Sequence, residues 1–126
     1  MTIESTTTRA MLALFLGAAL LGGCATTRPP TEKMESSAAS IRGAEQAGAE
    51  NVPRAALYLQ LANEQSAKAK ALIASGGEDN MKAASNLLMR ASADGELAIA
   101  LADDDKARVA AEQAVADIQT FKQQTK

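Results

Sequence analysis

The sequence contains no histidine and no tryptophan, one cysteine, one tyrosine, two phenylalanines and three prolines in 126 residues. Lacking histidine, it has neither the commonest general base nor the commonest zinc ligand, and every Ser-His or Cys-His nucleophilic pair is excluded with them. A lone cysteine cannot build a disulfide framework. Aromatic rings are nearly absent: beyond residue 24 only Tyr58 and Phe121 remain. Charge of one sign is missing too, with 13 basic against 15 acidic side chains and a formal net charge of -2. That balance indicates neither a nucleic-acid-binding surface nor a strongly basic membrane-binding face. Together these absences predict a protein that is not an enzyme, holds no metal and needs no cofactor. Carboxylate or lysine chemistry stays formally open, but nothing in the pattern recommends it.

What the sequence does have begins near its start. Ala10 to Leu21 is an apolar run of about a dozen residues, the length of a signal-peptide core and well short of the roughly 20 residues a membrane-spanning helix needs. Arg9 and the terminal amine supply positive charge ahead of it, partly opposed by Glu4. The run ends in Leu20-Leu21-Gly22-Gly23-Cys24, which resembles a bacterial lipoprotein box: a leucine three residues before the cysteine, two small residues, then the cysteine that is acylated. The resemblance implies a signal peptide over 1–23, lipidation of Cys24, a linker over 24–31 and a helical domain over 32–126. Each buried CH₂ of an acyl chain contributes about 0.8 kcal/mol, so several chains anchor a protein stably where one does not. Ala25 stands where such lipoproteins carry Asp as an inner-membrane retention signal. The expected location is therefore the periplasmic face of the outer membrane.

The remaining residues read as all helix. Alanine is abundant, favours helix more than any other residue and buries little area, so long helices with a thin core are expected. After the Pro29-Pro30 linker, a first helix is predicted from about Glu32 to Ala47, with Met34, Ala38, Ile41 and Ala44 or Glu45 on one face and Gly43 weakening it. Gly48 to Pro53 ends it, with Asn51 placed to cap the next helix and Pro53 suited to its first turn. The second helix runs from Pro53 to about Ala74. Leu57, Leu61, Lys68 and Leu72 form one row on it, and Ala55, Leu59, Ala62, Ala69 and Ile73 form an adjoining one. Ser75-Gly76-Gly77 stops it, and Glu78-Asp79-Asn80 offers capping oxygens to a third helix.

That third helix carries Met81, Ala84, Leu88, Ala91, Gly95, Ala98 and Ala102 in one row, beside Leu87, Leu97 and Leu101, and makes an antiparallel hairpin with the second. Gly95 costs about 1 kcal/mol relative to alanine, but the apolar spacing resumes in phase after it, which favours one continuous helix. Asp103-Asp104-Asp105 lacks the alternation, turn glycine and distal glutamate of a calcium loop and reads as a solvated stretch. Beyond it, Ala107, Ala111, Ala114, Ile118 and Phe121 repeat with heptad-like spacing, with Val115 alongside, as in a narrow coiled-coil seam. A helix this long outruns the second one, so the first helix or another chain must cover Ile118 and Phe121. Ala111, Ala114, Ile118 and Phe121 are accordingly the candidate partner face.

Ala44-Glu45-Gln46-Ala47-Gly48-Ala49, Pro53-Arg54-Ala55-Ala56-Leu57, Ala67 to Leu72 and Ala91-Ser92-Ala93-Asp94-Gly95-Glu96-Leu97-Ala98 resemble the domain of unknown function 4398 family, over roughly Ser36 to Ala110. Its members are small Ala-rich helical proteins, commonly exported lipoproteins, and Gly95 departs from an alanine in the family pattern. Some relatives add a peptidoglycan-binding domain like the end of outer-membrane protein A, for which the residues here leave no room. The family implies no catalytic residues. The hairpin also resembles one tetratricopeptide unit, but no second copy is visible and a solenoid needs about three.

The expected role is a helical module that binds an envelope protein, with a structural spacer between membrane and peptidoglycan as the alternative and homo-oligomerisation left open. Gln123-Gln124-Thr125-Lys126 should be frayed and accessible. Acylated cysteine, long Ala-rich helix and terminal lysine are in arrangement similar to the major murein lipoprotein, which implies Lys126 as a candidate attachment point for peptidoglycan.

Overall fold

The computed structural model describes residues 28–125. Helix α1 spans Thr31–Gln46, a 3-10 turn covers Ala49–Asn51, α2 spans Pro53–Ser75 and α3 spans Glu78–Gln124. No strand occurs among the described residues, and the architecture is an all-α bundle of three helices with a long C-terminal one. Cys24, the signal peptide, the first part of the linker and Lys126 lie outside the described residues. No described helix is both long and apolar enough to cross a membrane.

Each boundary has a local cause. Gly48, at φ 73°, takes the left-handed conformation just after α1, and its N–H bonds the Glu45 carbonyl at 2.9 Å. This is how glycine ends helices without a Cβ clash. Pro53 forces the residue before it into extended backbone, so the N-cap position of α2 falls on Val52 (φ -112°, ψ 112°). Asn51 is one residue too early to cap and sits inside the 3-10 turn, contrary to expectation. The turn between α2 and α3 is Gly76-Gly77, at φ 69° and 87°. Helix α3 begins two residues before the expected Asn80, with Gly77 as its N-cap and no side-chain oxygen on the free N–H groups. Glu78 and Asp79 instead place negative charge in its first turn, where the helix dipole favours it. Asn80 turns the other way and donates to the Gly76 carbonyl at 2.7 Å.

Helix α2 runs back antiparallel to α3, whereas α1 runs parallel to α3. Lys33 Nζ meets Ser85 Oγ at 2.5 Å, Ser40 meets Ser92 at 3.0 Å, and Gly43 faces Ile99, in ascending order along both helices. The buried row of α3 is Ala84, Leu88, Ala91, Gly95, Ala98 and Ala102, as the spacing predicts, while Met81 is half-buried. On α2 the buried row is Ala55, Leu59, Ala62, Ser66 and Ala69. The Leu57 row predicted beside it does not face the core: Leu57 is 54% exposed, Lys68 is exposed, and Leu61 and Leu72 are only half-buried. Both rows look apolar in sequence, but only the alanine and serine row lets helices approach closely.

Two clusters make up the core. One joins Ile41, Ala44, Ala49, Ala55, Leu59, Ala62, Ala98 and Ala102, with Tyr58 and Ile99 packed against it; the other joins Ala69, Ala84 and Leu88, with Met34, Leu72, Ile73 and Leu87 around it. Leu88 is the one large hydrophobic side chain among them that is fully buried.

Gly95, which looked like a helix weakness, is a packing device. A Cβ on Gly95 would lie 2.8 Å from Ser40 Cβ and 3.0 Å from the Ser40 carbonyl carbon, closer than real side chains come. Glycine here sets the α1–α3 spacing, and α3 runs through it unbroken. Around this crossing the contact is lined with hydroxyls: Ser92 Oγ lies 3.1 Å from Ser36 Oγ and 3.4 Å from Glu96.

Candidate functional site

The three-helix packing ends near Ala102. From Asp103 onward α3 continues alone for 22 residues, which at 1.5 Å per residue is an overhang of about 33 Å. Every residue from Lys106 to Thr125 is exposed. The first helix does not cover the far row, as one expectation allowed, because it ends beside Ile99 and turns into the 3-10 segment.

What holds this overhang helical is local. Lys106 pairs with Asp103 at 3.2 Å on one side of the helix, and on the other Arg108 reaches Asp105 at 2.6 Å and Glu112 at 2.7 Å, each partner about one turn away. The hydrogen bond to Asp105, then that to Glu112, raises the Arg108 pKa further above its ordinary value. Asp103 and Asp105 thus serve intrahelical pairing, and no group of three or more His, Cys, Asp or Glu suited to a metal ion occurs among the described residues. Pairs this exposed contribute little each; high alanine content does the rest.

The candidate residues Ala111, Ala114, Ile118 and Phe121 share one side of this overhang. Ile118 is 54% and Phe121 66% exposed, and Val115 beside them is 54% exposed. At 3.6 residues per turn the row lies about 140° around the axis from the row buried in the bundle. It is therefore not a continuation of the core stripe left without a cover. The core side of the overhang keeps one large apolar residue, Val109, 47% exposed, and is polar at Lys106, Gln113, Thr120 and Gln124. Singly exposed apolar residues need no explanation, but an aligned row ending in an aromatic side chain on an unaccompanied helix marks an interaction surface.

Elsewhere the described surface holds only shallow features. An open groove of about 340 Å³ between α1 and α2 is lined by Met34, Glu35, Arg42, Ser66 and Lys70. Between α2 and α3, Gln65 donates to Asp94 at 2.6 Å while its buried carbonyl oxygen has no protein partner. That polar contact was invisible in sequence, because neither residue lies on an apolar row.

No family model, curated protein or solved structure matches the chain. The functional reading therefore rests on the residues and geometry above.

Proposed function

We propose that this chain is a non-enzymatic, lipid-anchored protein of the outer membrane, facing the periplasm, whose overhanging helix offers an assembly surface to a partner in the envelope. The exposed row Ala111, Ala114, Ile118 and Phe121, on a helix with nothing beside it, is the observation that carries the reading. The lipoprotein box ending at Cys24 supplies the location. A structural spacer reaching peptidoglycan through Lys126 is the second reading. It is favoured by one fact of topology: α1 starts at the Gly76-Gly77 end of the bundle, and the tip of α3 points away from the other end.

Membrane-fraction mass spectrometry tests the anchor, with a triacylated N-terminus at Cys24 as the expected product; unmodified full-length chain in the cytoplasm overturns it. Crosslinking in intact envelopes tests the surface. A crosslinked product that disappears in Phe121→Asp supports it, and identical products with and without that change remove it. Muramidase digestion of sacculi, followed by a search for a muropeptide on Lys126, decides for or against the spacer.

A further inference from the structure

The exposed row does not start at the overhang. Traced backward in alternating steps of four and three, it runs from Phe121 to Ala93, over about four heptads, with Leu97, Asp104, Ile118 and Phe121 at the larger positions and alanine at all the others. Every one of these positions is exposed, including Leu97 at 40%, which lies within the bundle half of α3 on the side away from its core. A 3.5-residue repeat sustained over three or four heptads is the pattern of a coiled-coil seam.

The flanking positions say which way a partner runs. In a parallel pair of identical helices, the residue just before an a position meets, on the other chain, the residue five places further along, just after the next d position. Along this seam those pairs are Glu96 with Leu101, Asp103 with Arg108, Ala110 with Val115 and Asp117 with Lys122: the first, beside the bundle, sets an acid against a half-buried leucine, and the three in the overhang are acid with base, apolar with apolar, acid with base. Antiparallel pairing sets the two flanks each against itself. It then places the acidic flank (Asp103, Asp117) opposite acid or alanine, and the basic flank (Arg108, Lys122) opposite base or valine. We propose that the occupant of this face is a second copy of the chain, joined to it as a parallel, in-register coiled coil along Ala93 to Phe121, with the two bundles facing outward. The proposal rests on the reading of this face as an assembly surface and names its partner.

The alanine-rich seam makes the contact narrow. Asp104 sets one carboxylate against its copy at an a position, where a polar residue fixes register at a cost in stability. Both features make the dimer reversible. Arg108, already paired with Asp105 and Glu112, retains guanidinium donors for Asp103 of the second copy.

Single cysteines test the geometry in isolated membranes containing the full chain. Ala100→Cys and Ala114→Cys, both on exposed seam positions away from the core, are each expected to give disulfide-linked dimers on mild oxidation, because a parallel register brings each residue beside its own copy. The parent chain is the control; if it dimerises, Cys24 is not acylated, and the pair is repeated in Cys24→Ser. A dimer from only one of the two positions, or from neither, overturns the proposal. Sedimentation of the Cys24→Ser chain supplies a second measure. Asp104→Leu should tighten association at least tenfold and Lys122→Asp should weaken it at least tenfold, with Asp117→Lys added to Lys122→Asp restoring it. A strict monomer in every variant overturns the dimer, and an envelope protein still crosslinked through Phe121 then leaves the assembly surface standing with a different occupant.

Discussion

Helix α3 is one helix living in two environments. From Glu78 to Ala102 it is wedged between α1 and α2, and its helicity is enforced by neighbours; from Asp103 to Gln124 it has none and depends on alanine content and one-turn ion pairs. The first half tolerates Gly95, because the close approach of Ser40 and Ile41 more than offsets a poor helix former. No glycine or proline occurs in the second half, where nothing could offset one. Packing and propensity are thus interchangeable sources of helix along a single element, as general experience of helices in proteins suggests.

The largest expected contrast comes from truncating leucine and isoleucine in the two halves. Leu88→Ala removes the one large hydrophobic side chain that is fully buried and should destabilise the bundle by about 2–5 kcal/mol, enough in so thin a core to unfold much of it near physiological temperature. Ile118→Ala should leave the unfolding free energy of the monomer, from urea denaturation, within about 0.5 kcal/mol of the parent. Equal effects would mean the overhang is folded against the bundle.

Next come the two glycines of the α1–α3 contact. Gly95→Ala must displace backbone of α1 and should cost about 1–3 kcal/mol, despite the better helix former. Gly43→Ala meets only the mobile end of Ile99 at 2.9 Å, so a rotamer change should accommodate it and recover up to about 1 kcal/mol of helix propensity. Thermal unfolding of the pair measures the difference; a Gly95→Ala protein no less stable than the parent would show that Gly95 is not the spacing residue.

A smaller and local effect on the monomer is expected from Ala110→Gly, on the flank of the seam. It should cost about 1 kcal/mol of helix propensity, seen as faster amide exchange between Lys106 and Gln113, while exchange around Leu88 stays unchanged. In the monomer, Arg108→Ala should do least. It removes two surface pairs, and the resulting fraying of the overhang, read by the same exchange experiment, should shrink further at high salt, where those pairs are already screened.

How much of this could be read in the sequence depended on the kind of contact. The buried row of α3 was legible from spacing alone, as was its continuity through Gly95, because one face repeats in phase on both sides of the glycine. The hairpin at Gly76-Gly77 was legible from turn chemistry. On α2 the reading favoured large residues, and Leu57 and Lys68 proved to be outside, because tight helix contacts select small side chains and Ser66 does not announce itself as core. The hydroxyl contacts of Ser36, Ser40 and Ser92 and the Gln65–Asp94 bond join residues 29 to 56 positions apart with no periodic signature. The candidate face was found by its heptad spacing, although its extension back to Ala93 became visible only once Leu97 was known to be outside.

The overhang touches no other element, and this frees its length from the requirements of folding. Inserting or deleting seven residues there would move the tip by about 10.5 Å while rotating the seam by only about 20°, so a lineage can lengthen or shorten the rod in heptad steps without rebuilding the bundle. A change of three or four residues would instead swing the seam around the axis and part it from its upper half. Length variation among descendants of this sequence should therefore be quantised in sevens beyond Asp105 and nearly absent before it.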